Sequence, residues 1–182
     1  QGFKDFASAM TEKPWIFIPV LLLIITLLWQ RKALKEKLSS LNKDIGHFKR
    51  DSQLHTPVAV LLNLFLALPV TLIFLLTGFA LQLDGSGHML YLVDAMFGVA
   101  KAWLVLYTCY CLLKPGGVAE RHFHWPRETT LTLYKLIRAI GLVIIPLLVV
   151  ATIAEHQPQA LTKDNMGMLL VMIGFLMLSV LL

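Results

Sequence analysis

The chain has 182 residues, of which 57% are hydrophobic and only 15% are charged, and its mean hydropathy is +0.72. This composition excludes an ordinary water-soluble globular domain and predicts a membrane protein. The formal net charge of +5 does not require a nucleic-acid partner, because an excess of Lys and Arg on one side of a bilayer gives the same balance.

Five apolar segments are long enough to cross a hydrocarbon core of about 30 Å, which takes roughly 20 helical residues. The predicted spans are 14–30, 56–83, 89–113, 131–154 and 166–182, and residues 1–13 form a connection before the first span. A bilayer offers no water to backbone groups, and these segments lack polar alternation, so we predict an all-α transmembrane bundle rather than a barrel. The second span is uncharged over 28 residues, so it must tilt or bend, and Pro69 is the expected kink.

Lys and Arg are concentrated in alternate connections between the spans. Twelve lie in the connection after the first span, in the connection after the third span or in the first turns of the fourth span. Three lie in residues 1–13 and in the remaining connections. The positive-inside rule therefore places the N-terminus in the periplasm and the basic connections in the cytoplasm, against the anionic inner leaflet. We predict lipid-headgroup contacts for the basic residues of these connections and one flanking tryptophan: Arg31, Lys32, Lys35, Lys37, Lys43, Lys49, Arg50, Arg121, Trp125 and Arg127.

The basic connection after the first span has a helical pattern of its own. Leu34, Leu38, Leu41, Ile45 and Phe48 recur at spacings of four and three, which places them in one stripe on a helix. The stripe is compatible with an amphipathic helix lying on the inner leaflet. It is equally compatible with a cytoplasmic extension of a neighbouring span that packs against another helix. Two heptads do not separate these alternatives.

Two charged residues, Asp94 and Lys101, lie inside the third span. They are seven residues apart and share a helical face, about 10 Å from one another along the axis, so they do not pair directly. A charge near mid-bilayer costs roughly 2.5 to 3.5 kcal/mol, so Lys101 should face protein, water or a lipid phosphate. We expect pairing between helices, with a role in gating or lipid binding as the alternative.

The connection after the third span begins with a cluster of helix-breaking residues, Pro115, Gly116 and Gly117, and Pro126 is expected at the first helical position of the next span. His122 and His124 beside Glu120 are weak support for a metal site, because further spaced ligands are absent from the sequence. No nucleophile elbow, phosphate-binding loop or zinc motif is found. We therefore predict no enzymatic activity, metal or cofactor.

Two sequence runs resemble a known family. Arg50-Asp51-Ser52 opens a long span, and the run from Leu112 to Phe123, LLKPGGVAERHF, is followed by Trp125-Pro126. These runs resemble the membrane domain of large MscS-type mechanosensitive channels, the group of the MscK (KefA, potassium-efflux) and MscM proteins. The resemblance extends over most of the chain. It implies a long periplasmic domain before these spans and a pore helix and cytoplasmic β domain after them, so the chain is interpreted as an internal fragment.

The same resemblance implies a heptameric channel of the bacterial inner membrane whose peripheral helices contact lipid, respond to tension, and release ions and small osmolytes during hypoosmotic shock. A secondary-transporter fragment would instead need discontinuous helices and ionisable residues at the midplane, for which Asp94 and Lys101 are the only support. A membrane anchor or assembly scaffold fits the spans alone equally well.

Overall fold

A computed structural model describes residues 13–44, 55–83, 90–156, 172–177 and 179. All secondary structure in these residues is helical. The helices are α1 (Pro14–Asp44), α2 (His55–Leu83), α3 (Leu90–Leu112), the single turn α4 (Val118–Arg121) and α5 (Arg127–His156). Residues 172–177 are also helical. Within the described residues, four helices are long and apolar enough to cross a membrane, Pro14–Leu41, His55–Leu83, Leu92–Leu112 and Arg127–Thr152.

The predicted second and third spans agree with α2 and α3 to within one residue at each end. The fourth begins four residues earlier than predicted, at Arg127, and the Pro126 carbonyl accepts a hydrogen bond from the Thr130 amide at 3.0 Å. Pro126 therefore precedes the first helical residue instead of occupying it. Only part of the predicted fifth span is described, so the fifth span remains a prediction, as do the connection over 1–13 and the periplasmic N-terminus.

The first helix is longer than its predicted span and continues to Asp44. Of the two alternatives left open for the basic connection, the structure therefore favours the extension of a neighbouring span for residues 31–44, which continue the first helix. Leu34, Leu38 and Leu41 are half-buried while their neighbours are exposed, and they continue the buried face of Phe17, Ile24 and Leu27. Ile45 and Phe48 lie outside the described residues.

The long helices pack in an antiparallel series. α2 lies between α1 and α3, and α3 also packs against α5. Phe17 near the start of α1 contacts Leu76 and Ala80 near the end of α2. A Cβ on Gly98 of α3 would lie 2.6 Å from Leu148 Cδ2 of α5, so this glycine permits close approach of the two helices. Because successive helices run in opposite directions, one end of the bundle contains the last turns of α1 and α3, the first turns of α2 and α5, and residues 113–126. This end is called here the basic end.

Small side chains make up much of the interior. Fully or nearly buried alanines occur on both α2 and α3, which lets their backbones approach; they are Ala59, Ala67, Ala80, Ala95 and Ala100. Many large apolar side chains point outward, with Trp29 87% exposed and Leu142 72% exposed. An apolar exterior around a small-residue interior is the arrangement expected of helices that pack in lipid.

Candidate functional site

Most of the predicted headgroup contacts are grouped at the basic end. Six of the described side chains among them are exposed: Lys32, Lys35, Lys37, Arg121, Trp125 and Arg127. Arg31 is only half-exposed. Lys43 lies in the last turn of α1, and Lys49 and Arg50 lie outside the described residues. The structure therefore brings together basic residues from α1, α4 and α5, and whether they bind lipid headgroups remains a prediction.

Arg31 is turned inward to α3 and does not extend toward solvent. Its Nη2 donates a hydrogen bond to the Tyr107 hydroxyl oxygen at 2.8 Å, and its Nε is buried without a partner in the structure. A hydrogen bond in which one partner is charged is roughly twice as strong as a neutral one. Arg31 therefore links α1 to α3, in addition to any contact it makes with lipid.

An aromatic ladder extends this link to α5. The Trp103 and Tyr107 rings are stacked at 5.3 Å, Tyr107 and Tyr110 lie at 6.0 Å, and Tyr110 and Tyr134 are stacked at 4.7 Å. The Tyr134 hydroxyl donates to the Tyr110 hydroxyl at 2.6 Å. Ring separations in this range are favourable for aromatic pairs. Arg31 and the ladder form a continuous set of contacts across α1, α3 and α5.

The predicted helix-breaking cluster forms the turn after α3. Gly116 has φ of +69°, a left-handed conformation that glycine adopts without steric cost. A Cβ on Gly117 would lie 2.6 Å from the Lys114 carbonyl oxygen, so a larger residue would collide with backbone. The Gly116 amide donates to Glu120 Oε2 at 2.8 Å, and the Gly117 amide donates to the Lys114 carbonyl at 2.7 Å.

The turn leads into α4, which is fastened to the bundle. Val118 and Ala119 at its start are buried. His122 directly follows α4, and its Nδ1 lies 3.0 Å from Thr56 Oγ1 in the first turn of α2. The amide of Trp125 donates to the Ala119 carbonyl at 3.1 Å. The connection 113–126 is therefore a folded part of the site, and His122 has a structural contact with α2.

The two charged residues of the third span lie on its outer face. Asp94 and Lys101 are both exposed on α3, in line with exposed Val105. Pro69 lies inside α2 and is buried. The functions suggested for Asp94, Lys101 and Pro69 remain predictions.

The sequence interpretation missed five side chains that shape this site. Two are Thr56 and Asn63, and Asn63 is almost completely buried. The other three are the tyrosines of the ladder, Tyr107, Tyr110 and Tyr134. The sequence contains two indications of these residues. Trp103, Tyr107 and Tyr110 have helical spacing, and Asn63 has the one side-chain amide within residues 56–81. The pairing of Tyr110 with Tyr134 depends on how two helices are aligned, which no local pattern specifies.

Comparison with known proteins places the chain in a family. The family model described as mechanosensitive ion channel inner membrane domain 1 matches residues 14–182. The chain is 33% identical to the mechanosensitive channel MscK of Escherichia coli (strain K12) over 192 aligned residues, covering 98% of this chain and 17% of the relative. It is 27% identical to an uncharacterized MscS family protein of Haemophilus influenzae (strain ATCC 51907 / DSM 11121 / KW20 / Rd), covering 75% of this chain and 12% of that relative.

No solved structure matches the chain significantly. The chain spans less than a fifth of the length of either curated relative. The resemblance seen in the LLKPGGVAERHF run is confirmed by the family match, and the apolar helices agree with it. The chain belongs to the mechanosensitive ion channel inner membrane domain 1 family and forms a multi-pass inner-membrane domain of the MscS type.

Proposed function

We propose that this domain is a peripheral, tension-sensing and lipid-interacting module of a bacterial mechanosensitive channel that acts in hypoosmotic shock and potassium efflux. The observation that carries the proposal is the contrast between exposed large apolar side chains along the helices and a basic end joined by hydrogen bonds. The exposed apolar side chains can follow changes in the surrounding lipid. The hydrogen bonds of the basic end can transmit these changes to neighbouring helices.

The proposed orientation puts the basic end in the cytoplasm and the N-terminus in the periplasm, with five spans in all. It is supported by the twelve Lys and Arg residues near the basic connections, against three in the others. Anionic headgroups attract a basic residue near the surface by about 1 kcal/mol. The lipid partners of the module are then the anionic lipids of the inner leaflet.

Tension would act through the difference in membrane area between two conformations. A bilayer under tension favours the conformation that occupies more area, so helices that tilt or flatten bias a distant pore without a ligand. α1 is a candidate transducer because its 31 residues extend for about 46 Å at 1.5 Å per residue, which exceeds the hydrocarbon thickness. Pro69 in α2 is the candidate bending point.

The proposed module also contacts further parts of the channel and other copies of the chain. MscS-type channels are membrane-embedded oligomers, and we propose a homo-oligomer, a heptamer by the family resemblance. Lys101 is exposed near the middle of α3, where a charge in hydrocarbon is costly. We propose that this face of α3 contacts other protein, or a lipid phosphate that Lys101 reaches by extending its side chain. A transporter function is not favoured, because the family is one of channels.

The test is patch-clamp recording of the full-length channel in giant spheroplasts that lack other mechanosensitive channels. Pressure thresholds are compared with and without residues 14–182. A shifted threshold at unchanged unitary conductance supports a tension-sensing module. An unchanged threshold would leave an anchor or assembly scaffold.

A full deletion risks loss of assembly, so a milder variant is recorded beside it. The quadruple replacement of Lys35, Lys37, Lys43 and Lys49 by Gln removes positive charge from the connection after the first predicted span and introduces no helix-breaking residue. We expect a changed threshold, because the attraction of these residues to anionic headgroups contributes differently to two conformations of different area. An unchanged threshold in a channel that assembles normally would limit these lysines to setting topology.

A further inference from the structure

A cavity of about 460 Å³ opens at the basic end, between α1, α2, α3 and the turn that leads into α4. This volume lies in the range of small-molecule sites. Its polar lining includes Lys35 of α1, Lys114 of the turn and Arg121 of α4, together with Tyr107 and Tyr110 of the ladder. The lining side chains come from separate elements, so folding of the basic end creates the cavity.

The charge of the lining is of one sign. Lys35, Lys114 and Arg121 contribute three cations, and none of the described residues that line the cavity is acidic. Glu120 precedes Arg121 but does not line the cavity, and its Oε2 is held by the Gly116 amide at 2.8 Å. Cations gathered around one volume repel one another unless an anion lies between them. The cavity therefore favours a negatively charged occupant.

Asn63 adds a second and independent requirement. It lines the cavity and is only 1% exposed. Its Nδ2 donates to the Ala59 carbonyl at 2.8 Å, which fixes the orientation of the amide, and its Oδ1 is buried without a hydrogen-bond partner in the structure. Buried polar atoms are nearly always hydrogen-bonded. An occupant that carries a hydroxyl or ammonium donor as well as an anion would satisfy this oxygen.

The surroundings indicate where such an occupant comes from. Leu38 and Leu66 also line the cavity, and exposed apolar residues such as Leu61 and Val105 lie on the outer faces of the two helices that flank it. A phospholipid can place its headgroup among the cations while its acyl chains follow these outer faces. A free phosphate would use the cations alone.

We propose that this cavity binds a phosphate ester, with Lys35, Lys114 and Arg121 around the anionic oxygens and Asn63 Oδ1 accepting from the head, and that the occupant is a glycerophospholipid. The assignment rests on the proposed placement of the basic end at a membrane surface.

The test is lipid binding by the purified full-length channel in detergent, followed by native mass spectrometry with phosphatidylglycerol. The cavity variant replaces Lys35, Lys114 and Arg121 by Gln, and the matched control replaces Lys32, Lys37 and Arg127, which do not line the cavity. We expect affinity to fall on the order of 100-fold in the cavity variant. The control should lose less than about threefold, because detergent removes the membrane surface that these three residues would contact. Equal losses in both variants would overturn the site.

Asn63→Leu tests the buried oxygen separately. The substitution removes an acceptor that has no partner and the Nδ2 donor to the Ala59 carbonyl. That carbonyl keeps the backbone amide four residues later in the same helix, so folding should stay intact. We expect phosphatidylglycerol to bind roughly five- to tenfold more weakly through loss of one hydrogen bond. Unchanged affinity would show that the head does not reach Asn63 and would overturn that part of the assignment.

Inorganic phosphate distinguishes the two sources of the anion. Excess phosphate should leave bound phosphatidylglycerol in place, because the lipid is also held by its acyl chains. Displacement of the lipid by phosphate would replace it with a soluble phosphate as the occupant. These measurements are independent of gating, so lost lipid binding at an unchanged pressure threshold would sustain the site and contradict only its role in tension sensing.

Discussion

The two ends of the bundle are held together by different kinds of contact. Away from the basic end, Phe17 of α1 is completely buried against Leu76 and Ala80 of α2, and its ring lies 5.9 Å from that of Phe79. At the basic end, hydrogen bonds join α1 to α3 and α3 to α5. Dispersion contacts depend weakly on direction, whereas a hydrogen bond fixes both distance and angle.

This difference suggests how the module could respond to a bilayer. Helices packed through apolar surfaces can shift against one another at small cost when lipid replaces a lost contact, because lipid tails are as apolar as the side chains. Buried polar groups at the other end lose hydrogen bonds if they separate. We therefore expect substitutions at the basic end to cost more than substitutions at the apolar end.

The largest effect is expected for Gly117→Ala. The added Cβ would lie 2.6 Å from the Lys114 carbonyl oxygen and 3.2 Å from the Leu112 carbonyl oxygen, and backbone atoms cannot move aside without reshaping the turn. We expect a cost of about 3 kcal/mol, at the upper end for overpacking. Hydrogen exchange of the amides in 118–125, in the full-length protein, measures this local free energy.

Gly116→Ala is the matched control for this turn. Nothing lies within 4 Å of its added Cβ, but φ of +69° remains unfavourable for alanine, at a cost of about 1 to 2 kcal/mol. If Gly116→Ala proved more costly than Gly117→Ala, strain in the backbone dihedral and not collision would limit the turn.

The next largest effect is expected for Tyr107→Phe. The substitution removes the acceptor for Arg31 Nη2 and leaves a charged group without that partner in a partly buried place, at about 2 kcal/mol. The control is Tyr134→Phe, which removes a hydrogen bond between two neutral hydroxyls and should cost about 1 kcal/mol. Exchange rates of amides in 28–41 report the loosening of α1. A larger effect of Tyr134→Phe would contradict the expectation that the Arg31–Tyr107 hydrogen bond is the stronger of the two.

Parts of this architecture could be predicted from the sequence, for identifiable reasons. α2 and α3 were located to within one residue because their ends coincide with charged or helix-breaking residues. The turn at Pro115, Gly116 and Gly117 was predictable because proline and glycine determine backbone conformation locally. The first span was predicted to end at residue 30 because a search for spans stops at the first charge, Arg31, and the extension beyond it was only one of two open alternatives. The charge at Arg31 does not end a helix, and residues 31–38 are all strong helix formers.

The contacts that make the site were harder to predict. Leu34, Leu38 and Leu41 continue the buried face of Ile24 and Leu27 at the same helical spacing, so comparing the two patterns would have favoured one continuous helix. The link of Arg31 with Tyr107 joins residues 76 positions apart and depends on the axial alignment of α1 and α3. A single sequence carries no information on that alignment, and Arg31 was assigned to headgroups on charge alone.

A smaller effect is expected for Phe17→Leu at the apolar end. The ring planes of Phe17 and Phe79 meet at 42°, and such an aromatic pair contributes about 1 kcal/mol. Leucine retains much of the volume of Phe17 but loses this contact. Amide exchange in 17–24 and 76–83 measures the change. A cost above that of Tyr107→Phe would reverse the comparison between the two ends, since the apolar end would then be the more firmly held.

The smallest effect is expected at the lipid-facing surface, where adjacent isoleucines of α1 provide an internal control. Ile24 is 4% exposed and Ile25 is 58% exposed. Ile24→Val removes a methylene from a packed helix interface and should cost about 1 kcal/mol. Ile25→Val removes the same group where hydrocarbon chains surround it, so its transfer free energy hardly changes and the cost should stay below about 0.5 kcal/mol. Amide exchange in 21–30, measured in a bilayer mimetic, compares the two. Equal costs would mean that protein covers Ile25, and the outer face of α1 would then be an interface with another part of the channel and not a surface that senses lipid.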